Sequence, residues 1–520
     1  MAEVQTESVQ NALDMINEAI GQDERSYDGS VKVTGAEPVL ASRHRFGELM
    51  AASQAALGMN LGRIWQQRGG RAQNVATDVE AGVHQHHGIA FLRQRGHVLG
   101  FTDYSAPGAF DDEISSEFYP TKDGRFIKME MFYPRLRDAV FRVLRCAPVR
   151  EAVEQAVMQW DAEDLEAAIR DEGGAVGVVR SAEEWRAHPV GRALSTKPIV
   201  EVTRIGDSEP IPLPSGLPTS GRPLEGVRVL DATHVIGGPM TARTLAEYGA
   251  DVLHLSRVDD PDHPNWRLET DLGKRAAYCD FRDQRDREGF FRLLHDADVF
   301  TCSYLGLDRK GISPEILAQA RPGIIAHELR CFDFEGEWAN LRGFDMMAVT
   351  VAGYVDVEGA VDAPQMPVQG IFADYLAAYV GAAAITSALL KRAADGGSYR
   401  VRVSLTRMAM WAQEVGLIDA AEAYDGTRSW ADLVAESDLP VETIDSPYGP
   451  ITYLPSLISM SDIRRGFERG TQPLGSAPLE WSSASDLPSS RRTTLFPPID
   501  PASPADPVGP EGVEPPTLWV

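Results

Sequence analysis

The chain has few cysteines, and their spacing excludes two common kinds of site. Four occur in 520 residues, Cys146, Cys279, Cys302 and Cys331, and no two form a Cys-x-x-Cys pair. This argues against a disulfide framework and against a zinc site built on cysteine pairs. The spacing indicates free thiols in a reducing compartment, so we expect a cytoplasmic protein.

Positive charge is also scarce. The 50 lysine and arginine residues face 76 aspartate and glutamate residues, a formal net charge of −26. This excess repels phosphate backbones and acidic membranes, which argues against nucleic acid or a membrane as a partner. No apolar run reaches the ~18 residues of a membrane span. The first seven residues lack the basic and then apolar pattern of a signal peptide.

Several catalytic motifs are missing as well. The sequence has no Gly-x-Ser-x-Gly elbow, no His-Glu-x-x-His motif and no Walker loop, which removes the common hydrolase and NTPase classes. The cluster His84-Gln85-His86-His87 lies on no recognisable ligand scaffold, so we assign no metal site to it. The remaining composition, 43% hydrophobic and 24% charged, is that of a globular protein with a large core.

The pattern of apolar and turn-forming residues predicts an α/β protein in two regions. A helix rich in alanine and glycine is predicted over 46–68, and strands and helices alternate over 115–200. Prolines and glycines in 211–223 predict a linker. The β-α-β-α-β rhythm over 227–303 then predicts an open parallel sheet. Serine, proline and aspartate dominate from residue 482 onward, which predicts a disordered tail.

The start of a second apolar helix is the most informative segment. Asp374 heads about five turns of small and apolar residues, which end at Lys391 and Arg392, before Gly396-Gly397. Aspartate is a good N-cap, and the helix dipole favours its ionised form. The segment alone fits both a structural cap and a carboxylate kept charged as a nucleophile.

A similar pattern occurs earlier in the chain. Residues 51–79 and 378–403 each contain an alanine-rich helix, a glycine pair and a short valine-rich strand. With the glycine pairs aligned, Gly47 lies opposite Asp374. We infer a duplication in which only the second copy keeps the aspartate; chance similarity of two alanine-rich helices is the alternative.

A turn and four basic residues are candidates for anion binding. The turn from Asp231 to Gly237-Gly238-Pro239 follows a predicted strand and opens a helix, whose N-terminus can receive a phosphate or a thioester. It is not a Gly-x-Gly-x-x-Gly dinucleotide motif. Basic residues lie at or after strand ends, where open α/β sheets bind ligands, although each alone could be a solvated surface group. They are Arg257, Lys274, Arg275 and Arg309.

Taken in order, these motifs resemble the class III CoA-transferases. Residues 222–260 look like the opening of that family, which includes formyl-CoA transferase, crotonobetaine/carnitine CoA-transferase and α-methylacyl-CoA racemase. Further matches follow at 273–275, 297–299, 343–345 and 396–405. Within this series Asp374 falls on the family's catalytic aspartate. The resemblance implies an open parallel sheet of Rossmann type with a smaller α+β domain.

The N-terminal half resembles later parts of the same family. Residues 118–128 are similar to the segment that opens the small domain, and 177–185 to the one that closes it. The first copy therefore lacks the nucleotide-binding opening, whereas the second shortens its small domain to 412–444. We expect complementary parts that form one complete active site. The predicted domains are a flexible arm (1–45), a partial CoA-transferase copy with the small domain (46–205), a linker (206–224), a CoA-transferase large domain with Asp374 (225–481) and a disordered tail (482–520).

The resemblance implies a CoA-transferase that moves CoA from an acyl-CoA to a carboxylic acid. Asp374 would be the nucleophile, acting through an aspartyl-acyl anhydride and an enzyme-bound thioester, with Asp345 as a candidate secondary acid or base. CoA or acyl-CoA is then a substrate and no cofactor is bound permanently. The implied partners are acyl-CoA, a small carboxylic acid and a second copy of the chain in a homodimer. The residues assigned to CoA are Gly237, Gly238, Arg257, Lys274, Arg275 and Arg309.

Two departures from the family pattern leave alternatives open. The segment Cys302–Gly306 replaces a longer Glu-Asn-Phe-Arg-Pro-Gly loop, which favours a non-catalytic CoA-binding paralogue. An acyl-CoA racemase or isomerase would use Asp345 or Asp374 as a base. The racemase branch has a histidine where this chain has Phe344, which argues against that alternative.

Overall fold

The computed structural model describes residues 3–4, 6–94, 97–98, 114, 118–259, 262, 264–424 and 428–482. Apart from Ser482, the tail predicted to be disordered lies outside these residues.

The strands are short. In chain order they are β1 (Glu3–Val4), β2 (Val31–Thr34), β3 (Val75–Asp78), β4 (Arg93–Gln94), β5 (His97–Val98), β6 (Phe118–Pro120), β7 (Phe126–Met129), β8 (Val176–Val178), β9 (Glu201–Gly206), β10 (Arg228–Ala232), β11 (Asp251–Ser256), β12 (Arg275–Tyr278), β13 (Val299–Cys302), β14 (Ile325–Arg330), β15 (Ser398–Ser404), β16 (Glu442–Ile444), β17 (Ile451–Tyr453) and β18 (Ser459–Met460).

Two long helices stand out among many short ones. The α-helices are α1 (Glu7–Ile20), α2 (Phe46–Gln67), α3 (Val79–Gln85), α4 (Pro134–Leu144), α5 (Arg150–Val157), α6 (Ala162–Asp171), α7 (Ala182–Ala187), α8 (Pro189–Ser195), α9 (Gly237–Glu247), α10 (Pro264–Thr270), α11 (Gln284–Leu294), α12 (Pro314–Ala320), α13 (Asp345–Val351), α14 (Tyr354–Glu358), α15 (Ala373–Asp395), α16 (Leu405–Glu414), α17 (Ala420–Tyr424) and α18 (Trp430–Glu436). Short 3-10 helices cover Glu24–Ser26, Gly88–Phe91 and Asp308–Lys310.

A seven-stranded sheet forms the centre of the fold, in the order β12-β11-β10-β13-β14-β15-β9. Its neighbouring strands are parallel except β15 and β9, which are antiparallel. The predicted open parallel α/β sheet is therefore confirmed, with one antiparallel strand, β9, at its edge. From β10 the chain winds outward to β11 and β12, then crosses to β13 and β14 on the other side. Such a switch point leaves a crevice at the carboxyl ends of β10 and β13, where open α/β sheets bind ligands.

The two alanine-rich helices, α2 and α15, pack against each other beside the sheet. Nearly all residues of both helices are buried, and the Asn60 side-chain amide donates to the Ala383 carbonyl at 2.9 Å. Of the described helices, α15 alone has the length and hydropathy of a membrane span. Every residue of its apolar window is buried inside the protein, as expected of a core helix.

Residues 1–45 differ from the flexible arm predicted for them. Helix α1 begins after Thr6, whose side chain accepts the Val9 N–H, and ends at Gly21 in the left-handed conformation. Its apolar residues recur at helical spacing and are buried, since α1 packs against α2. The mixed overall composition of this segment hid that amphipathic pattern.

The two halves of the chain share sheets at several places. Strand β9 belongs to the N-terminal half but forms an edge of the central sheet beside β15. Strand β18 pairs with β3, and β17 with β4. Residues 412–444 were predicted to be a shortened small domain. Their described part contains helices and strand β16, which pairs with β17 and so joins the sheet that contains β4 and β5. The three-stranded sheet β6-β7-β8, packed on α4–α6, belongs to the N-terminal half alone.

Candidate active site

A cleft of about 710 Å³ opens at the carboxyl ends of β10 and β13. Its walls come from the loops after these strands, from 340–344 and from α4 of the N-terminal half. The Asp374 side chain reaches the bottom of this cleft while remaining only 6% exposed. The fold thus brings the predicted nucleophile to the predicted ligand-binding edge of the sheet.

Asp374 contacts the start of helix α9. It is the second residue of α15, and its Oδ1 accepts a hydrogen bond from the Gly237 N–H at 3.2 Å. A Cβ atom added at Gly237 would lie 2.6 Å from that oxygen. Glycine is therefore required at position 237 for the carboxylate to approach the helix N-terminus.

Asp345, and not Asp374, caps the N-terminus of α15 with its side chain. Its Oδ2 accepts hydrogen bonds from the N–H groups of Phe372 at 3.1 Å and Asp374 at 3.0 Å. Its Oδ1 is buried and has no hydrogen-bond partner. Asp345 lies 29 residues before Asp374 in the chain and accepts N–H groups at the start of α15 that have no partner within the helix. The Asp374 side chain is therefore not needed as a cap and faces the cleft.

The pKa values of both carboxyls are raised. Burial is the main cause for each, and the nearby Asp345 charge raises the pKa of Asp374 further, whereas the hydrogen bond from Gly237 lowers it. The helix dipole was expected to favour ionised Asp374, but burial and a second carboxylate oppose it. The pair therefore holds a proton to higher pH than an exposed pair would.

The loop between β10 and α9 has a strained backbone. Val235 has φ of +69°, which a β-branched residue rarely adopts. Its N–H donates to the Asp262 carboxylate. Strain of this kind is concentrated at ligand-binding sites, which agrees with the position of Val235 in the cleft wall.

Comparison with known proteins agrees with this geometry. Residues 224–433 match the model of CoA-transferase family III. Over that segment the chain is similar to the class III CoA-transferase family. It is 26% identical over 461 residues to an acetyl-coenzyme A transferase of Hypoxylon pulicicidum, covering 80% of this chain and 75% of that protein. It is also 29% identical over 280 residues to an acyl-CoA transferase of Gibberella moniliformis.

Coverage of other relatives is smaller. The Gibberella match covers 50% of this chain and 48% of that protein, so the chain spans about half of that relative. Among solved structures, a CaiB/BaiF family protein of Brucella suis is 24% identical, with 44% of this chain and 65% of that chain covered and a TM-score of 0.34.

Of the four basic residues predicted to bind CoA, two line the cleft. Arg257 follows β11 and is paired with Asp259 at 2.8 Å, and Arg309 lies in the loop after β13. Four further arginines of the cleft were not predicted from the sequence: two lie on α4 of the N-terminal half, one is the last residue of β14, and one lies in the segment before α13. They are Arg135, Arg142, Arg330 and Arg342.

The structure places Lys274 and Arg275 elsewhere. Lys274 is fully buried, with its Nζ 2.7 Å from Asp231 Oδ2 and 2.9 Å from the Pro239 carbonyl oxygen. Arg275 forms an ion pair with Asp251 at 3.3 Å. Both residues stand at the start of β12 and not after its end, so neither lines the cleft.

The two glycines of the predicted turn have different surroundings. Gly237 lines the cleft, whereas Gly238 is buried in the helix start. A Cβ atom at Gly238 would lie 2.6 Å from the Thr233 Cβ, so its small size serves packing.

An aromatic pair beside the switch point was not predicted. The His234 ring stacks on Tyr304, with centroids 4.5 Å apart and an interplanar angle of 3°. The His234 Nδ1 is hydrogen-bonded to Ser303 Oγ at 2.9 Å. All three residues line the cleft, so the altered 302–306 segment forms part of the cleft wall. Their positions directly after β10 and β13 were the available signal.

A smaller pocket of about 60 Å³ adjoins Asp374. Residues from both halves of the chain surround it, with mainly apolar and aromatic side chains. They are Glu130, Phe132, Tyr133, Val235, Ile236, Trp266, Phe344, Asp345, Met346, Ile371 and Asp374.

The histidine cluster has separate contacts. His86 Nε2 is hydrogen-bonded to the Phe46 carbonyl at 2.9 Å, and His87 Nδ1 to the Gln369 carbonyl at 2.5 Å. Across the part of the chain that is described, no three histidine, cysteine or acidic side chains come together as a metal site. These histidines connect the start of α2 with the segment before α15.

Proposed function

We propose that the protein transfers CoA from an acyl-CoA to a carboxylic acid, with Asp374 as the nucleophile. One observation carries this proposal: the Asp374 carboxylate lies at the bottom of the switch-point cleft, against the N-terminus of α9. The match to CoA-transferase family III over 224–433 and similarity to proteins named acyl-CoA and acetyl-coenzyme A transferases support CoA transfer in general.

The donor half-reaction begins with ionised Asp374. Its carboxylate oxygen attacks the thioester carbonyl carbon, the C–S bond breaks, and CoA leaves as a thiolate, which gives an aspartyl-acyl anhydride. The thiolate then attacks the Asp374 carbonyl carbon of that anhydride. The donor acid departs with one former aspartate oxygen, and an aspartyl-CoA thioester remains.

The acceptor half-reaction reverses these steps with a new acid. The acceptor carboxylate attacks the aspartyl thioester and expels the CoA thiolate, which forms a second anhydride. Attack of the thiolate on the acceptor carbonyl carbon gives the new acyl-CoA and restores the Asp374 carboxylate. No oxidant, reductant or metal is needed to balance the two halves.

The cleft has the charge and shape for CoA. Arg257 and Arg309 offer positive charge for phosphates in a strongly acidic protein, and the stacked His234 and Tyr304 rings offer a flat surface. N–H groups at the α9 start, where Gly237 already donates to Asp374, suit an oxyanion. Tyr133 of the N-terminal half borders the pocket, where it helps exclude water from an anhydride.

Mass spectrometry after mixing with acyl-CoA tests the proposal. We expect a covalent acyl or CoA adduct on the peptide that contains Asp374, and transfer of CoA to a supplied carboxylic acid. Asp374→Asn should give neither. Exchange of the acyl α-proton with solvent deuterium, without an adduct, would instead support a racemase. Acyl-CoA binding without either reaction would support a non-catalytic paralogue.

A further inference from the structure

We propose that the 60 Å³ pocket selects short, uncharged acyl groups and rejects acyl groups that end in a second carboxylate. This inference rests on the proposed function, because it takes the pocket beside Asp374 as the place where the acyl chain extends from the thioester carbonyl. It concerns the class of acyl donor and acceptor, which the comparisons leave open.

Aromatic side chains build the walls of the pocket. Tyr133 stacks on Phe344 with ring centroids 5.4 Å apart, and Phe132 meets Tyr133 edge-on at 5.3 Å. Trp266 lies at another side and is only 5% exposed. Surfaces of this kind favour alkyl groups, since burying each methylene contributes about 0.8 kcal/mol.

All charged side chains in the described lining of the pocket are acidic. Its described lining includes three carboxylates, Glu130, Asp345 and Asp374, and no lysine, arginine or histidine. The Glu130 side chain accepts the Phe132 N–H at 2.8 Å, which holds its carboxylate at the wall. A terminal carboxylate on the acyl group would meet these carboxylates and no cation among the described lining residues, so it would be repelled.

The neighbouring cleft has an excess of positive charge. Its described lining has six arginines, the two predicted and the four found in the structure, beside four carboxylates, Asp138, Glu172, Asp262 and Asp374. None of the six belongs to the described pocket lining. The site therefore separates a cationic region that suits the phosphates of CoA from a region that disfavours anions beyond the thioester.

The size of the pocket limits the length of the acyl group. A volume of 60 Å³ is a few times the roughly 10–15 Å³ that a cavity needs to hold one water molecule. A chain of a few carbon atoms beyond the carbonyl fits, whereas a longer chain requires the aromatic wall to move.

A binding series on the Asp374→Asn protein tests the inference without catalysis. Butyryl-CoA and succinyl-CoA differ mainly by the terminal carboxylate, so titration calorimetry with both measures the charge effect directly. We expect succinyl-CoA to bind more weakly by on the order of 100-fold. Hexanoyl-CoA should also bind more weakly than butyryl-CoA. Equal or tighter binding of succinyl-CoA would overturn the charge argument.

Two pocket variants sharpen the test in transfer assays. Glu130→Gln keeps the acceptor for the Phe132 N–H but removes a charge, so the butyryl-to-succinyl ratio of kcat/KM should fall by about tenfold. Glu183→Gln, at an exposed position in α7, is the matched control and should keep the wild-type ratio. Phe132→Ala should move the preference toward hexanoyl-CoA. An unchanged ratio in Glu130→Gln would contradict the assignment.

The two proposals can fail separately. If the wild-type protein forms no adduct while Asp374→Asn still prefers butyryl-CoA, the transferase mechanism fails and the acyl pocket stands. If transfer proceeds equally well from both donors, the transferase stands and the selectivity is refuted.

Discussion

At the scale of single residues, Asp374 sits where a negative charge is hard to hold. Burial and the Asp345 carboxylate both raise its pKa, and one peptide N–H partly offsets them. An anion destabilised in this way is a stronger base and a better nucleophile once its proton has left. The same environment predicts that activity depends on pH through this carboxylate.

Replacing Asp345 by asparagine should lower the apparent pKa of Asp374. Asparagine keeps an oxygen for the N–H groups of Phe372 and Asp374 but removes the like charge, so Asp374 ionises more easily. The acid limb of kcat/KM for an acyl-CoA should therefore shift to lower pH. Circular dichroism checks the fold of the variant. An acid limb that stays in place or moves to higher pH would show that the two carboxylates do not interact as described.

Adding a methyl group at Gly237 should lower activity and leave stability almost unchanged. In Gly237→Ala the new Cβ collides with Asp374 Oδ1, and a displaced nucleophile reduces kcat/KM on the order of 100-fold. The thermal unfolding midpoint should change little, because the higher helix propensity of alanine, about 1 kcal/mol over glycine, offsets the cost of moving the Asp374 side chain. Near-normal transfer by this variant would mean that the Asp374 position is not critical.

At the scale of elements, the start of β12 and the loop after β13 have different roles. Lys274→Met removes the ammonium group from buried Asp231, which keeps only its contacts with Thr233 and His254 among the described residues, so the free energy of unfolding should fall by about 3 kcal/mol. Arg309→Ala removes a cleft cation, so CoA affinity should fall while stability remains near wild type. Urea unfolding and CoA titration on both variants provide the comparison. Weaker CoA binding by a stable Lys274→Met protein would restore the CoA-binding role predicted for Lys274.

Local sequence patterns were sufficient for the central elements of the fold. The rhythm of 227–303 predicts the parallel sheet, and the apolar run after Asp374 predicts α15. The capping of α15 by Asp345 could not be predicted, because the contact spans 29 residues and depends on tertiary packing. Lys274 was misplaced because a basic residue beside a strand does not reveal at which end of the sheet it lies.

At the scale of the whole molecule, the two halves depend on each other. Helix α2 is buried against α15, and strand β9 completes the sheet formed by the C-terminal half. The pocket takes Glu130, Phe132 and Tyr133 from the N-terminal half. The homodimer stays a prediction, and it requires a surface other than α2 and α15, which face each other within one chain.

Separated halves should therefore fail individually and recover together. Residues 1–210 alone would expose the apolar face of α2, at about 25 cal/mol per Å², so aggregation or partial unfolding is expected. Residues 222–481 alone should show little turnover, and co-expression should restore it. Size-exclusion chromatography and transfer assays measure both effects. A fully active 222–481 fragment would contradict the dependence on complementary halves.

The central claim is that an Asp374 oxygen forms a bond to the acyl group during each transfer. An acceptor acid labelled with oxygen-18 in its carboxylate tests it, because the second anhydride returns one acceptor oxygen to the aspartate. After limited turnover and tryptic digestion, the peptide 343–391 should contain one heavy oxygen. Fragment ions should locate it at Asp374 and not at Asp345. Formation of the new acyl-CoA with no label at Asp374 would contradict the account.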